Sequence, residues 1–217
     1  LVGDKTMIFR LVDSDMYWHF ERRSRNLNVS RGIALHKMIK LMTATTICGG
    51  YLNFMGNEFG HPEWVDFPRQ GNGWSYKYAR RQWELVDNER YLYSDLNRFD
   101  RDMIHLISGV GGFERLPIDK VWDKEFDQVL AYSRKDMLFV FNFNPCRSFT
   151  DYGIPVVDRG SYRIVLNTDN TAYGGFGLVD ETLTYTTLPI GDSHRQQLRL
   201  YIPSRSAFVL KKIDKTE

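Results

Sequence analysis

The sequence predicts a chain in two parts, an α/β region over residues 1–112 and an all-β region over residues 118–217. Two observations support this division. In the first part, apolar residues recur at helical spacing and one short apolar run indicates a strand. In the second part, short segments with period-two alternation are separated by turn residues, which is typical of an antiparallel β-sandwich. The boundary is expected between Gly111 and Pro117.

The first helix and the first strand of the α/β region are predicted from adjoining segments. Residues 31–45 have a broad apolar face, and Ser30 is expected to cap this helix. Residues 51–55 are apolar and bounded by glycines, which indicates a buried strand. A helix followed by a strand is the alternation of α/β proteins.

Two further helices are expected before the boundary. Ser75 is expected to cap a helix over residues 76–85, and Ser94 opens another in which apolar residues recur at helical spacing. Gly109 and the glycines after it end that helix. One strand cannot form a sheet, so we expect residues 1–112 to need partner strands that this chain does not supply.

Six short strands are expected in the all-β region. Alternation of apolar and polar residues marks each of them, and Gly, Pro, Asn and Asp residues separate them. They are expected at residues 127–133, 137–143, 162–167, 183–187, 198–202 and 207–211.

Composition and charge restrict the possible partners. Hydrophobic residues make up 42% and charged residues 26% of the 217 residues, as in globular proteins. The formal net charge is +2, from 29 basic and 27 acidic side chains, which argues against a nucleic-acid surface. No stretch approaches the roughly 18 apolar residues of a transmembrane helix, so no membrane partner is expected.

The two cysteines, Cys48 and Cys146, are too few for a disulfide framework. Both lie beside apolar segments, and we expect small buried thiols in a reducing, cytoplasmic compartment. The chain starts at Leu1 without an initiator methionine or a signal-peptide pattern, so it is expected to begin inside a longer protein.

The candidate binding residues follow the predicted strand at 51–55. Because a rigid strand end holds the loop after it, such loops often carry the chemistry of α/β proteins. Carboxylates beside a tryptophan suit a sugar, since the ring stacks on a pyranose and the carboxylates accept hydrogen bonds from hydroxyls. The candidate substrate-binding residues are Glu58, His61, Trp64, Asp66 and Arg69.

Each of these residues also has a structural interpretation, and both remain open. Trp64 is either a sugar platform or a packing residue. His61 either binds a hydroxyl or supports the loop, and Glu58 bonds either within the loop or to substrate. Asp66 and Arg69 are close enough in sequence to pair with each other.

No cofactor or metal is expected. The five histidines show no ligand spacing beside cysteine or carboxylate pairs. The chain has neither a dinucleotide-binding glycine pattern nor a phosphate-binding P-loop. The glycines at 174, 175 and 177 are expected to form a loop, because no helix signal follows them.

Several blocks of the sequence, taken in order, resemble the glycogen and starch branching enzymes of the α-amylase superfamily, most closely the eukaryotic type. The resemblance covers nearly the whole chain. It rests on the segments at residues 1–6, 31–39, 50–69, 78–82, 99–103, 141–143 and 201–205.

The resemblance implies a fold and a reaction. The family has a (β/α)₈ barrel followed by an all-β C-terminal domain, and this chain would start just after the seventh barrel strand. Residues 51–55 would be the eighth strand, and Asp4 and Lys5 would lie at the edge of the cleft. The family cleaves an α-1,4 glucan bond and rejoins the segment through an α-1,6 bond, so the implied partners are glycogen, amylose and amylopectin.

The same resemblance places all three catalytic carboxylates upstream of Leu1, because they follow the fourth, fifth and seventh barrel strands in the family. This chain would then be inactive alone, with uncovered barrel faces through which it could form oligomers. The alternatives are a piece of a debranching enzyme or an amylase of the same superfamily, and a non-catalytic glucan-binding or structural module.

Overall fold

The computed structural model describes residues 5–24, 26–47, 50–109 and 116–213. These residues form three layers: a group of helices, a six-stranded sheet, and a three-stranded sheet. The α-helices all precede the strands in sequence.

Among the described residues, five α-helices come first. The longest is α3, whose first turn is capped by the side chain of Asn26, which accepts a hydrogen bond from the backbone N–H of Val29 at 3.0 Å. The helices are α1 (Met7–Val12), α2 (Asp15–Trp18), α3 (Leu27–Thr46), α4 (Glu84–Asp87) and α5 (Tyr93–Gly109).

Nine strands follow within the described ranges. They are β1 (Asp119–Lys124), β2 (Val129–Arg134), β3 (Met137–Asn142), β4 (Phe149–Val156), β5 (Ser161–Asn167), β6 (Thr184–Thr186), β7 (Leu188–Pro189), β8 (Gln196–Ile202) and β9 (Ser206–Ile213). The larger sheet has the order β1-β2-β3-β9-β5-β6 and the smaller one the order β4-β8-β7. All of the strand pairs are antiparallel.

Alternate side chains of β3 pack on opposite faces of the larger sheet. Leu138 and Val140 lie in the core between the two sheets. Phe139 and Phe141 point to the other side, where they contact the helices. All six residues of β3 are therefore buried, and the larger sheet is covered on both of its faces.

The helix-facing core joins α3 and α5 to the larger sheet. Met38 and Leu41 from α3, together with Phe99 and Met103 from α5, are buried against it. Burial of an apolar side chain of this size stabilises a fold by about 1.5–3 kcal/mol. The sheet residues that complete this core are Tyr132, Met137, Phe139, Phe141, Leu166, Ala207 and Val209.

Two buried cations fix α3 to the all-β region. Arg134, at the end of β2, donates to the carbonyl of Thr45 at 2.6 Å and to that of Ile47 at 3.2 Å. These carbonyls lie at the C-terminal end of α3, where helix carbonyls lack intrahelical partners and a cation is favourable. In the middle of the helix, Lys37 donates to the carbonyls of Thr168 and Tyr173 at 2.5 and 2.7 Å.

The six strands expected from alternation are confirmed, with ends that differ by up to two residues. Three strands were missed. β1 has an exposed pattern with little alternation, while β4 contains Gly153 and Pro155, which are unusual inside strands. The third, β7, has two residues.

The helical expectations are confirmed in part. The helix that contains Ser94 is present, and α3 covers residues 31–45 but begins at Leu27. Ser30 is therefore not its cap, because Asn26 lies one turn earlier and supplies the accepting oxygen. Gly111 and Gly112 lie outside the described residues.

Three other expectations are wrong. Residues 51–55 do not form a strand, because no neighbouring strand among the described residues pairs with them. The helix at 76–85 is absent, and a turn and the short helix α4 take its place. Cys146 is exposed rather than buried, and Cys48 lies outside the described residues.

The side chain of His36 on α3 makes the fold sensitive to acid. It is 2% exposed, and neither ring nitrogen has a hydrogen-bond partner among the described residues. Burial lowers the pKa of His36 to about 3, and the charges of Lys40 and Lys37 add to this effect.

We predict that His36 destabilises the fold as the pH falls. Below about pH 6.5 the unfolded chain takes up a proton on this ring that the folded chain does not, so the free energy of unfolding falls by at most about 1.4 kcal/mol per pH unit. The variant His36→Leu should show a shallower pH dependence in urea unfolding between about pH 4 and 6.5. The parallel variant His19→Leu, at an exposed ring, is the control, and equal slopes for H36L and wild type would contradict the prediction.

Candidate functional site

The five candidate residues lie on a long loop, residues 50–83, between α3 and α4. The loop contains little regular structure apart from a 3-10 turn at Gln70–Asn72. Polar side chains hold this loop in place at three points.

The first point is the ion pair between Lys40 of α3 and Asp100 of α5, both 4% exposed at the side chain. Lys40 also donates to the carbonyl of Asn57 at 3.0 Å, and the amide of Asn53 donates to Asp100 at 3.1 Å. Burial raises the pKa of the Asp100 carboxyl, while Lys40 acts in the opposite direction. The beginning of the loop is thereby fixed to two helices.

The second point is Arg81, which is 9% exposed. Its guanidinium donates to the Nδ1 atom of His61 at 2.8 Å and to the carbonyls of Glu63, Trp64 and Tyr78 at 3.0, 3.3 and 2.8 Å. Burial lowers the pKa of His61, and the neighbouring Arg81 lowers it further. A neutral ring that accepts at Nδ1 fits this environment.

The third point is the carboxylate of Asp66, which is 9% exposed. It accepts from the Nε of Arg69 at 3.0 Å and from the amide of Asn72 at 3.1 Å. Hydrogen bonds from Arg69 and Asn72 lower the pKa of Asp66. The expected pairing of Asp66 with Arg69 is thus present, and it shapes the turn at residues 69–74.

The ring of Trp64 lies in a stack of side chains from three segments. Tyr78 stacks on it with ring centroids 4.4 Å apart and an interplanar angle of 24°. The Nζ atom of Lys5 lies 4.8 Å from the Trp64 centroid and 4.0 Å from that of Phe9. Lys5, expected at the edge of a cleft, thus contacts the loop itself, while Asp4 lies outside the described residues.

The five candidates differ in how far they reach solvent. Arg69 is exposed, and Glu58 and Trp64 are half-buried. A carboxylate oxygen of Glu58 accepts from the backbone N–H of Gly56 at 2.7 Å, inside the loop. His61 is 3% exposed, and its Nε2 atom has no hydrogen-bond partner among the described residues.

Sequence reasoning missed a set of exposed aromatic side chains on the same loop. Such rings on the surface often mark a binding site, since most aromatic residues of this size are buried. Their positions in a glycine-rich stretch were the available signal. They are Phe67, Trp74, Tyr76 and Trp83, which are 50–65% exposed.

No group of three or more histidine, cysteine or carboxylate side chains that could hold a metal ion occurs within the described ranges. Over the same ranges, neither α3 nor any other helix combines the length and the hydropathy needed to span a bilayer.

We predict that Arg81 is required for the shape of the loop. Replacing it by Gln leaves several backbone carbonyls without a donor, at a cost of about 1–3 kcal/mol for each one that stays buried. The variant Arg81→Gln should therefore lower the free energy of unfolding and speed hydrogen exchange at residues 61–80. Arg80→Gln, at the exposed neighbouring position, is the matched control, and indistinguishable exchange in the two variants would disprove this role.

The all-β region matches a known domain family. Residues 121–213 match the family model of the α-amylase C-terminal all-β domain. Two solved structures share the fold at low sequence identity. A debranching enzyme from Nostoc punctiforme aligns over 87% of this chain with a TM-score of 0.55 and 16% identity, covering 33% of that chain. An α-amylase from Geobacillus thermoleovorans aligns over 91% with a TM-score of 0.52 and 15% identity, covering 38% of that chain.

Sequence similarity extends over nearly the whole chain. It is 46% identical to the 1,4-alpha-glucan-branching enzyme of Yarrowia lipolytica over 99% of its length, and 45% identical to that of Felis catus over the same share. It is 47% identical to the enzyme of Candida glabrata over 97%. The chain spans about 30–31% of the length of these curated relatives. Residues 121–213 therefore match the α-amylase C-terminal all-β domain, and the chain as a whole is similar in sequence to 1,4-α-glucan-branching enzymes.

Proposed function

We propose that this chain is part of a 1,4-α-glucan-branching enzyme. Such an enzyme cleaves an α-1,4 bond of a glucan and transfers the cut segment to form an α-1,6 branch. The observation that carries this proposal is the 45–47% identity to proteins of that name across 97–99% of the chain. The likeness to the debranching enzyme and the amylase is far lower in identity and supports the fold alone.

We further propose that residues 5–109 are the end of a (β/α)₈ barrel. The structural likeness to the debranching enzyme covers 87% of the chain, whereas the strands begin only at Asp119, so the likeness includes most of the helical part. Residues 51–55 then extend into the eighth strand when a neighbouring strand pairs with them. The exposed side chains of Leu52 and Met55, at 95% and 51%, would be covered in that arrangement.

The catalytic carboxylates are proposed to lie outside this chain, as the family resemblance implies. Retaining glycoside chemistry needs a nucleophile and an acid about 5 Å apart. Asp66 and Glu58 are unsuited to these roles, because their oxygens are engaged within the loop. A cytoplasmic location and association through uncovered barrel faces are parts of the same proposal.

The loop at 50–83 is proposed to contact the glucan. Arg69 reaches solvent, Glu58 and Trp64 do so in part, and the exposed aromatic side chains lie on the same loop. His61 and Asp66 are buried, and they are proposed to support this glucan-contacting surface, because their hydrogen bonds fix the conformation of the loop. Stacking of an aromatic ring on a sugar is consistent with the half-buried Trp64–Tyr78 pair.

The reaction is tested with the protein expressed from its complete gene. Incubation with amylose should produce α-1,6 linkages, measured by proton NMR of the product, without a matching rise in reducing ends. New reducing ends in the absence of α-1,6 linkages would instead identify a hydrolase and refute the proposal.

Trp64→Ala in the same protein is the variant that tests the loop. Loss of a stacking surface worth on the order of 1–3 kcal/mol should weaken glucan binding about tenfold or more. Phe126→Ala, at an 88% exposed ring on the all-β region, should leave binding unchanged. A lower melting temperature with unchanged affinity in the folded W64A protein would assign Trp64 to packing alone.

A further inference from the structure

A groove separates the first half of α3 from two loops of the all-β region. One loop is residues 168–178, after β5, and the other is the turn Ser204–Arg205 between β8 and β9. The cavity has a volume of about 360 Å³. A second cavity of about 200 Å³ lies beside it, and Arg31 and Arg205 line both. The apolar wall of the larger cavity consists of Leu27, Ile33, Ala34, Phe176 and Leu178.

The side chains of Arg31 and Arg205 have no hydrogen bond or ion pair with any residue in the described ranges. Three arginines outside the groove, by contrast, have protein partners: Arg81 and Arg134 donate to carbonyls, and Arg199 pairs with the carboxylate of Asp151. Guanidinium groups present a planar set of donors that matches phosphate and carboxylate oxygens. Arg31 and Arg205 line the groove from its two sides, and such guanidinium groups can donate to the oxygens of an anion.

The charge balance of the groove supports the same interpretation. Lys37 is 1% exposed and is hydrogen-bonded to backbone carbonyls rather than to a carboxylate. Asp169, the carboxylate among the described lining residues, accepts from the N–H groups of Phe176 and Leu178, both at 2.9 Å. Both carboxylate oxygens of Asp169 thus accept hydrogen bonds from the loop that they stabilise. The groove thus has three cations against one carboxylate, at the electropositive start of α3.

Arg205 is also held in an unfavourable backbone conformation, with φ at 51°. Residues other than glycine rarely adopt this conformation, and they do so where the surrounding structure imposes it. Here the flanking turn is fixed, because Ser206 donates to the carbonyl of Pro203 at 2.7 Å and Ser204 N–H donates to Ser148 at 3.0 Å. The backbone position of Arg205, from which its side chain extends, is therefore set by the fold.

We propose that this groove binds a phosphorylated sugar, with the phosphate between Arg31 and Arg205 and the sugar ring against Phe176. The Phe176 ring is 68% exposed, and the hydroxyls of Ser30 and Ser204 line the same cavity. The groove is lined by none of the residues of the 50–83 loop, so it is separate from the surface proposed to contact the glucan.

Calorimetric titration of the protein from its complete gene, at constant ionic strength, tests the site with three probes. Glucose 1-phosphate should bind, inorganic phosphate should bind more weakly, and glucose should not bind. Arg31→Gln and Arg205→Gln should each weaken glucose 1-phosphate binding about tenfold, the effect of one charge-assisted hydrogen-bonded pair. The control Arg159→Gln removes an exposed charge outside the groove and should leave binding unchanged.

Two further outcomes decide the proposal. Phe176→Ala should reduce the affinity for glucose 1-phosphate and leave that for inorganic phosphate unchanged. Equal binding of the two phosphates by wild type, or unchanged affinity in R31Q, whose position on the helix surface is exposed, would overturn the proposal. Because the readout is binding rather than branching, the result does not depend on the activity of the enzyme.

Discussion

The structure depends on one constraint, which is that the six-stranded sheet has an apolar surface on both of its faces. Phe139 and Phe141 point to one side of β3, and Leu138 and Val140 to the other. A sheet of this kind needs two covering layers. The three-stranded sheet supplies one of them, and α3 with α5 supplies the other. The helices are for this reason part of the same packed structure as the strands, although the sequence pattern divides the chain near residue 112.

Helix α3 connects this core to the loop at 50–83. Its apolar residues Met38 and Leu41 lie against the sheet, while Lys40, on the same helix, holds the carbonyl of Asn57 and the carboxylate of Asp100. A buried charge is expensive unless it is paired and hydrogen-bonded, and both conditions are met here. The position of the loop is therefore determined by the packing of α3 on the sheet.

The sequence correctly predicted those helices and strands in which the period of the apolar residues reflects burial. The apolar spacing of Leu96, Phe99 and Met103 identified α5, and alternation identified the six better-formed strands. It failed where long-range partners decide the structure. β4 was missed because its glycine and proline are tolerated at the edge of a sheet, and β4 is an edge strand.

At the candidate site, too, some features follow from the sequence and others depend on long-range contacts. The binding role of the residues at 58–69 stays a prediction, whereas the resemblance to branching enzymes was confirmed by identity over nearly the whole chain. The helix expected at 76–85 is absent because Arg81 binds carbonyls up to 18 positions away, which no local pattern reveals. The unpaired state of Arg31 and Arg205 is also visible only in three dimensions, since their contacts depend on loops that are distant in sequence.

The central claim is that α3 and the larger sheet form one cooperative unit. Native-state hydrogen exchange of the protein from its complete gene tests it directly, by comparing amides in the middle of α3 with those of β3 and β9. The claim predicts that both groups exchange with the same free energy of opening and the same dependence on denaturant. Exchange of the α3 amides through a separate opening of lower free energy, while β3 and β9 stay protected, would contradict it.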